Sequence, residues 1–296
     1  MTESESWKDP EEVRELLAAQ DYIAEPALAT AVFLSARLGK PLLVEGEPGC
    51  GKTEIAKVLA ASTGGELIRL QCFEGLDARS ALYDWDYPRQ LLTIRMHERE
   101  GAPEALERQL FSERFLLRGP LLRALGGDGY HRPILLIDEV DRADEEFEGL
   151  LLEVLSEFQV TIPELGTIRA KRVPLVIITS NRTRNLSDAL KRRCLYAYVE
   201  YPDPEKEVAI LRRRVPALED RFAAQIVEYV QRLRRTPELA RRPGVAETLD
   251  WAAALLALGR RSLDPETTEQ TLGFLIKDAD DLAMLRGQPP PAETTE

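Results

Sequence analysis

Apolar residues fall in short runs along the first two thirds of the chain, with helically spaced segments between them. Aliphatic runs at 43–44, 67–70, 134–137, 175–179 and 196–199 predict five strands. Segments 11–20 and 25–38 place apolar residues such as Val13, Leu16 and Leu17 at helical spacing, and Pro10 and Gly39 punctuate them. Strands alternating with helices predict an α/β fold, an αβα sandwich around a five-stranded parallel sheet. Past Pro202-Asp203-Pro204 no strand pattern follows, and 205–214, 218–235, 244–258 and 265–286 all read as helices. The expected organisation is an α/β domain over 1–201, a small all-α domain over 202–286 and a polar, proline-rich, disordered tail over 287–296.

Two stretches interrupt this scheme. Residues 73–118 form a long insertion carrying Phe73, Tyr83, Trp85, Tyr87, Arg89, Arg95, Phe111 and Phe115. It is either a functional elaboration or a peripheral one that packs its own aromatics. Residues 160–169 read as a hairpin turning near 164–166, either a moving part that touches a substrate or a passive connection.

Chemistry enters at 46–53, which spell Gly-Glu-Pro-Gly-Cys-Gly-Lys-Thr, the G-x-x-x-x-G-K-[ST] phosphate-cradling loop. A strand precedes it and a helix follows, so free backbone N–H groups and a helix N-terminus form an anion site. Gly46, Glu47, Pro48, Gly49, Cys50, Gly51, Lys52, Thr53 and Glu54 are the candidate ATP-binding residues. Lys52 is expected to reach the β- and γ-phosphates, and the Thr53 hydroxyl to ligate Mg²⁺. The run Ile134-Leu135-Leu136-Ile137 delivers Asp138 and Glu139 at the C-terminal edge of a central strand, where open α/β sheets bind ligands. Asp138 is expected to hold Mg²⁺, and Glu139 to orient or deprotonate an attacking water. The strand 175–179 leads to Asn181, a candidate sensor of that water or of the γ-phosphate. A short helix then ends in the basic cluster Lys191-Arg192-Arg193, a candidate arginine finger for a neighbouring subunit.

Composition narrows the classes of function. The chain has 296 residues and a net charge of −12, which argues against broad nucleic-acid or anionic-membrane binding. No apolar run suits a transmembrane helix and the first residues lack a signal-peptide pattern, so a cytoplasmic protein is expected. Cys50, Cys72 and Cys194 have no metal-type spacing, and His97 and His131 fit no zinc or triad pattern. Cys50 is either a redox-responsive thiol or a small residue filling a variable loop position.

Taken with the helical C-terminal part, the glycine loop, Asp138-Glu139, Asn181 and Arg192-Arg193 resemble an AAA+ ATPase. Leu117-Arg118-Gly119-Pro120-Leu121-Leu122, 138–143 and 153–162 resemble its MoxR branch, and 73–77 with 83–90 resemble the CoxD-like group within it. The resemblance spans about residues 20–285. It implies a hexameric ATP-driven ring that remodels or matures a protein client, often a metalloenzyme, with a von Willebrand A-domain partner. For the CoxD-like group the client is a molybdenum hydroxylase, carbon monoxide dehydrogenase. The family's finger falls on Arg193, while Arg192 stands where the family usually has an acid. The family's sensing arginine in the C-terminal domain has no counterpart at its expected position in the matching stretch 241–247, leaving Arg241 or Arg242 just upstream of that position as substitutes. The competing expectations are a nucleic-acid-translocating motor, resting on the arginine-bearing hairpin and Arg212-Arg213-Arg214, and a scaffold that binds ATP without turnover.

Overall fold

The computed structural model describes residues 7–97, 103–126 and 131–286. The start of the chain and the tail expected to be disordered lie outside them. Among the described residues nine strands are formed: β1 (Leu42–Gly46), β2 (Leu67–Gln71), β3 (Tyr83–Trp85), β4 (Leu116–Arg118), β5 (Ile134–Asp138), β6 (Gln159–Ile162), β7 (Gly166–Arg169), β8 (Leu175–Ser180) and β9 (Leu195–Val199). The chain makes two compact units. Of the described residues, one takes those up to Gln20, 24–45 and those within 53–198; the other takes 21–23, 46–52 and those from Val199 to Arg286.

The first unit is organised by a five-stranded sheet in the order β2-β5-β8-β1-β9. β5 runs parallel to β2 and β8, and β8 parallel to β1, with Gln71 beside Asp138 and Leu43 beside Ile178. β5 and β8 are buried along their whole length because helices cover both faces, which is why they read as unbroken apolar runs. β2 and β9 lie at the edges and alternate in exposure. Leu43, Ile68, Leu135, Ile137 and Ile178 pack on one face with Leu121, Leu125, Phe147, Leu151 and Val154. The intervening residues Leu42, Val44, Leu136 and Ile177 point the other way and are equally buried.

The insertion packs its own aromatics. β3 and β4 pair antiparallel, with Tyr83 and Phe111 edge-on to Trp85 at 6.2 and 5.3 Å. Phe115 is fully buried beneath Arg89 and Arg114, whose guanidinium carbons lie 5.6 and 5.5 Å from its ring centre. The helix Tyr87–His97 nevertheless leaves Tyr87, Leu91, Leu92 and Met96 exposed. The expected hairpin is β6 and β7, with Val160 opposite Ile168 and Val160 and Ile162 buried.

The second unit gathers the helices Pro204–Arg214, Asp220–Arg234 and Val245–Ala257 around Phe222, Ile226, Val230, Trp251 and Leu255. Trp251 is fully buried and its indole N–H donates to Thr271 Oγ1 at 2.8 Å. The single helix expected over 265–286 is instead two, Pro265–Thr271 and Ala279–Leu285, joined through a short 3₁₀ turn. Gly273 weakens the middle of the segment, and the Asp278 carboxylate starts a new helix by accepting the N–H groups of Asp280 and Asp281.

Candidate functional site

The glycine turn owes its shape to residues without a Cβ. Gly49 and Gly51 hold φ of +74° and +93°, in the left-handed region that other residues rarely adopt. A Cβ on Gly49 would also lie 2.9 Å from Gly244 Cα. Within the turn the Lys52 ammonium donates to the carbonyls of Gly46 and Glu47, each at 2.7 Å. Tyr201 donates its hydroxyl to Pro48 O at 3.2 Å, and burial pushes that phenol up to about 12. Cys50 is buried, and burial raises its thiol above the ordinary value despite the nearby Lys52 charge. A raised thiol carries little thiolate, so the redox expectation gives way to the space-filling one. Glu47 and Pro48 are exposed. Glu54 pairs with Lys57 at 3.1 Å along its own helix.

In the sheet unit the end of β5 draws together several side chains expected to act together. Asp138 is 2% exposed, and its Oδ1 accepts from Thr53 Oγ1 at 2.9 Å and from Thr179 Oγ1 at 2.6 Å. Its Oδ2 accepts from Arg69 Nη2 at 2.5 Å and Nε at 3.1 Å. Glu139 sits at φ +55°, a rare conformation for a side chain of this size, with its N–H donating to Thr179 Oγ1 at 2.9 Å. The Glu139 carboxylate accepts from Asn181 Nδ2 at 3.3 Å and Gln71 Nε2 at 3.4 Å, and pairs with Arg142 at 3.3 Å.

The loop after β8 is fixed by Asp141. That carboxylate accepts the Asn181 N–H at 3.1 Å, the Thr183 N–H at 2.8 Å and Thr183 Oγ1 at 2.7 Å. Burial alone would raise the Asp141 pKa, but these hydrogen bonds outweigh it and hold the group below 3.8. Burial, reinforced by the charges of Asp138, Asp141 and Glu139, pushes the neighbouring Cys72 thiol up to about 12.

Thr53, Asp138, Glu139 and Asn181 are thus joined by direct contacts in one unit, while Lys52 and the rest of the glycine turn belong to the other. Arg193 lies exposed at the end of the helix Asp188–Arg193, with Nε bonding Ser156 Oγ at 2.9 Å and Nη1 bonding Ala189 O at 3.2 Å. Arg192 is also exposed.

From the helical unit, contacts with the glycine turn come from Gly244, Val245 and Glu247. The Val245 N–H donates to Gly49 O at 2.8 Å, and Glu247 caps the Gly244 N–H at 3.0 Å. Arg241 and Arg242 are exposed, and the Arg241 N–H bonds Asp281. Arg69, Gln71, Asp141 and Thr179 escaped sequence reasoning. Arg69 and Gln71 left a trace there as polar residues on one face of the strand that pairs with β5, and Asp141 as a member of the stretch 138–143.

Each unit holds donors of its own that suit one part of a magnesium nucleotide. Glycine-turn amides and an ammonium match phosphate oxygens, while a hydroxyl beside a buried carboxylate offers the hard oxygen donors that Mg²⁺ takes. Among the described residues no three His, Cys, Asp or Glu side chains gather as a metal cage. Mg²⁺ at nucleotide sites ordinarily uses one or two protein carboxylates with phosphate oxygens and water.

The chain is similar to several known proteins. An uncharacterized protein of Staphylococcus haemolyticus is 29% identical over 212 residues, covering 70% of this chain and 72% of the relative. One from Staphylococcus aureus is 28% identical over 204 residues, covering 67% and 69%. Among solved structures, the Thermotoga maritima RuvB Holliday junction branch migration motor aligns with a TM-score of 0.46 and 18% identity, over 94% of this chain and 74% of that one. The sequence profile of the AAA domain (dynein-related subfamily) matches residues 41–194. No helix among the described residues is long and apolar enough to cross a membrane. With more than half of its length matched, the chain belongs to the AAA domain family, in the dynein-related subfamily.

Proposed function

We propose that the chain is an ATP-hydrolysing motor of the MoxR type, closest to the CoxD-like group, acting on a protein client in a ring of its own copies. The contact that carries this reading is Thr53 Oγ1 to Asp138 Oδ1 at 2.9 Å. It joins the last residue of the glycine loop to the acid at the end of β5. Lys52, Thr53 and the amides of 46–52 bind and orient the triphosphate. Thr53 and Asp138 would hold Mg²⁺, which would supply charge neutralisation at the phosphates. Glu139 orients and deprotonates the attacking water, and Asn181, 3.3 Å from Glu139, holds that water or the γ-phosphate. Arg193 is the finger for a neighbouring subunit. The metalloenzyme client and the A-domain partner belong to the same proposal and rest on the resemblance of 73–77, 83–90, 117–122, 138–143 and 153–162, and the domain scheme and the cytoplasmic setting are proposed with them.

The test is turnover with nucleotide binding measured alongside. Glu139→Gln is expected to keep ATP bound while turnover falls by about 10²–10⁴-fold, the usual contribution of a positioned base. Wild-type turnover in that variant would sink the ATPase assignment. Mixing Arg193→Ala subunits with Glu139→Gln subunits should restore activity, because the second kind supplies an intact finger to the first. No restoration would remove Arg193 from that role. Pull-down with ATP-held Glu139→Gln protein identifies the client, and a client that is no metalloenzyme would refute the CoxD-like assignment.

A further inference from the structure

We propose that Arg69 is a resident counter-ion for Asp138, one that competes with a divalent metal ion for this carboxylate and so sets the metal concentration at which nucleotide is retained. The inference rests on the assignment of Thr53 and Asp138 to a magnesium–nucleotide site and adds a control element to it.

The Asp138 carboxylate is saturated. A carboxylate offers about four lone-pair sites. Here Thr53 and Thr179 hydroxyls take Oδ1, and Nε and Nη2 of Arg69 take Oδ2. A metal ion or its water therefore has to displace a donor. Thr179 is 1% exposed and also accepts the Glu139 N–H, so it stays. Thr53 is held at the start of the helix Lys52–Thr63. The Arg69 side chain is 51% exposed, so its guanidinium can return to water with little penalty. Arg69 is accordingly the donor that leaves.

Strand geometry explains why an arginine reaches this place. In the parallel register Gln71 stands beside Asp138, and Arg69 stands beside Leu136. Arg69, two residues back, shares a face of β2 with Gln71, so its long stem runs forward along the edge strand to the carboxylate. On the way its Nη2 bonds Gln71 Oε1, and Gln71 Nε2 lies 3.4 Å from Glu139 Oε2. Departure of the guanidinium therefore also frees the side chain that touches Glu139. Arg69 is a positioning residue for both acids.

The test uses the full chain and reads binding, not turnover. Fluorescent ADP is bound while Mg²⁺ is titrated, and Mn²⁺ binding in the presence of ADP is followed by electron paramagnetic resonance. Arg69→Met is expected to lower the half-saturating metal concentration about ten-fold, the scale of losing one charge-assisted competitor. Arg69→Lys keeps a cation on a flexible stem and should stay within about three-fold of wild type. In EDTA, Arg69→Met should also lower the thermal midpoint, and this loss should vanish in an Asp138→Asn background. An unchanged or higher metal midpoint in Arg69→Met, with wild type binding ADP in a metal-dependent way, overturns the competition and leaves the ATPase reading standing. A wild-type chain that binds no nucleotide at any Mg²⁺ concentration overturns both. In that case the EDTA comparison still reports whether Arg69 and Asp138 are coupled.

Discussion

At the end of β5 four side-chain donors converge on one buried carboxylate, whereas at the start of the helix Val245–Ala257 the glycine turn is met by backbone. Val245 N–H bonds Gly49 O, and Gly244 lies so close to Gly49 that a Cβ on either would meet the other's Cα at 2.7–2.9 Å. Side-chain donors can exchange when a ligand arrives, and Arg69 is placed to do so. Backbone contacts cannot exchange; they hold only while the chain beneath them keeps its position. A helical unit that meets the turn this way needs a rigid support in place of an adaptable arginine.

That support is visible. Arg234 and Glu207 are both buried and bonded twice, at 2.7 Å each. Arg234 Nε also donates to Pro243 O at 2.8 Å, and Thr248 Oγ1 lies 3.0 Å from both Glu207 Oε1 and Gly244 O, which share its one O–H. The network ties the helices Pro204–Arg214, Asp220–Arg234 and Val245–Ala257 to the residues that touch Gly49. Arg234→Met leaves Glu207 buried without its partner, a loss of about 3–5 kcal/mol. Urea unfolding followed by Trp251 fluorescence, with Trp7 and Trp85 replaced by Phe in both proteins, measures it. A loss under about 1 kcal/mol would mean that the turn is held some other way.

Gly244→Ala probes the contact itself. Gly244 has φ of −84°, which alanine adopts freely, so any effect is steric and not torsional. The added methyl would lie 2.7 Å from Gly49 Cα and 2.8 Å from Glu247 Oε2. Backbone has to shift, and the expected destabilisation is about 1–3 kcal/mol. Nucleotide affinity should fall with it, since the displaced atoms belong to the phosphate loop. Retained affinity would show that the turn tolerates movement of its helical neighbour.

Legibility in the sequence follows the same division. The glycine loop and the acidic end of β5 stand out because each is local: a spaced set of glycines, and an aliphatic run stopped by two acids. β5 and β8 were readable because burial on both faces leaves no polar position to blur the run. Arg69 and Gln71 were not readable as partners of Asp138 and Glu139. Their meaning depends on the strand register, a contact across about 70 residues of chain that no local pattern encodes. The break at 272–278 was missed because helical spacing continues through it while Asp278 captures backbone N–H groups. The packing of Gly244 on Gly49 was hidden for a similar reason. A glycine chosen for close approach looks, in a sequence, like one chosen for a turn.

The smallest expected effect separates the acidic region's own support from its chemistry. Asp141 is 3% exposed and holds the Asn181 and Thr183 N–H groups with the Thr183 hydroxyl. Asp141→Asn replaces a three-donor acceptor with a group whose amide must face donors, so about 1–2 kcal/mol of stability should be lost at pH 7. The pH dependence fixes the cause. The folded carboxyl is depressed below 3.8, so its contribution is present above the unfolded pKa and disappears as pH falls through the still lower folded value. Thermal midpoints of wild type and variant should therefore differ at pH 7 and converge as the pH is taken down through the depressed folded value, by the usual carboxylate linkage. A difference that persists unchanged at low pH would assign the loss to shape and not to charge. In that event the loop bearing Asn181 would be held by packing, and the two regions would be more alike than their hydrogen bonds suggest.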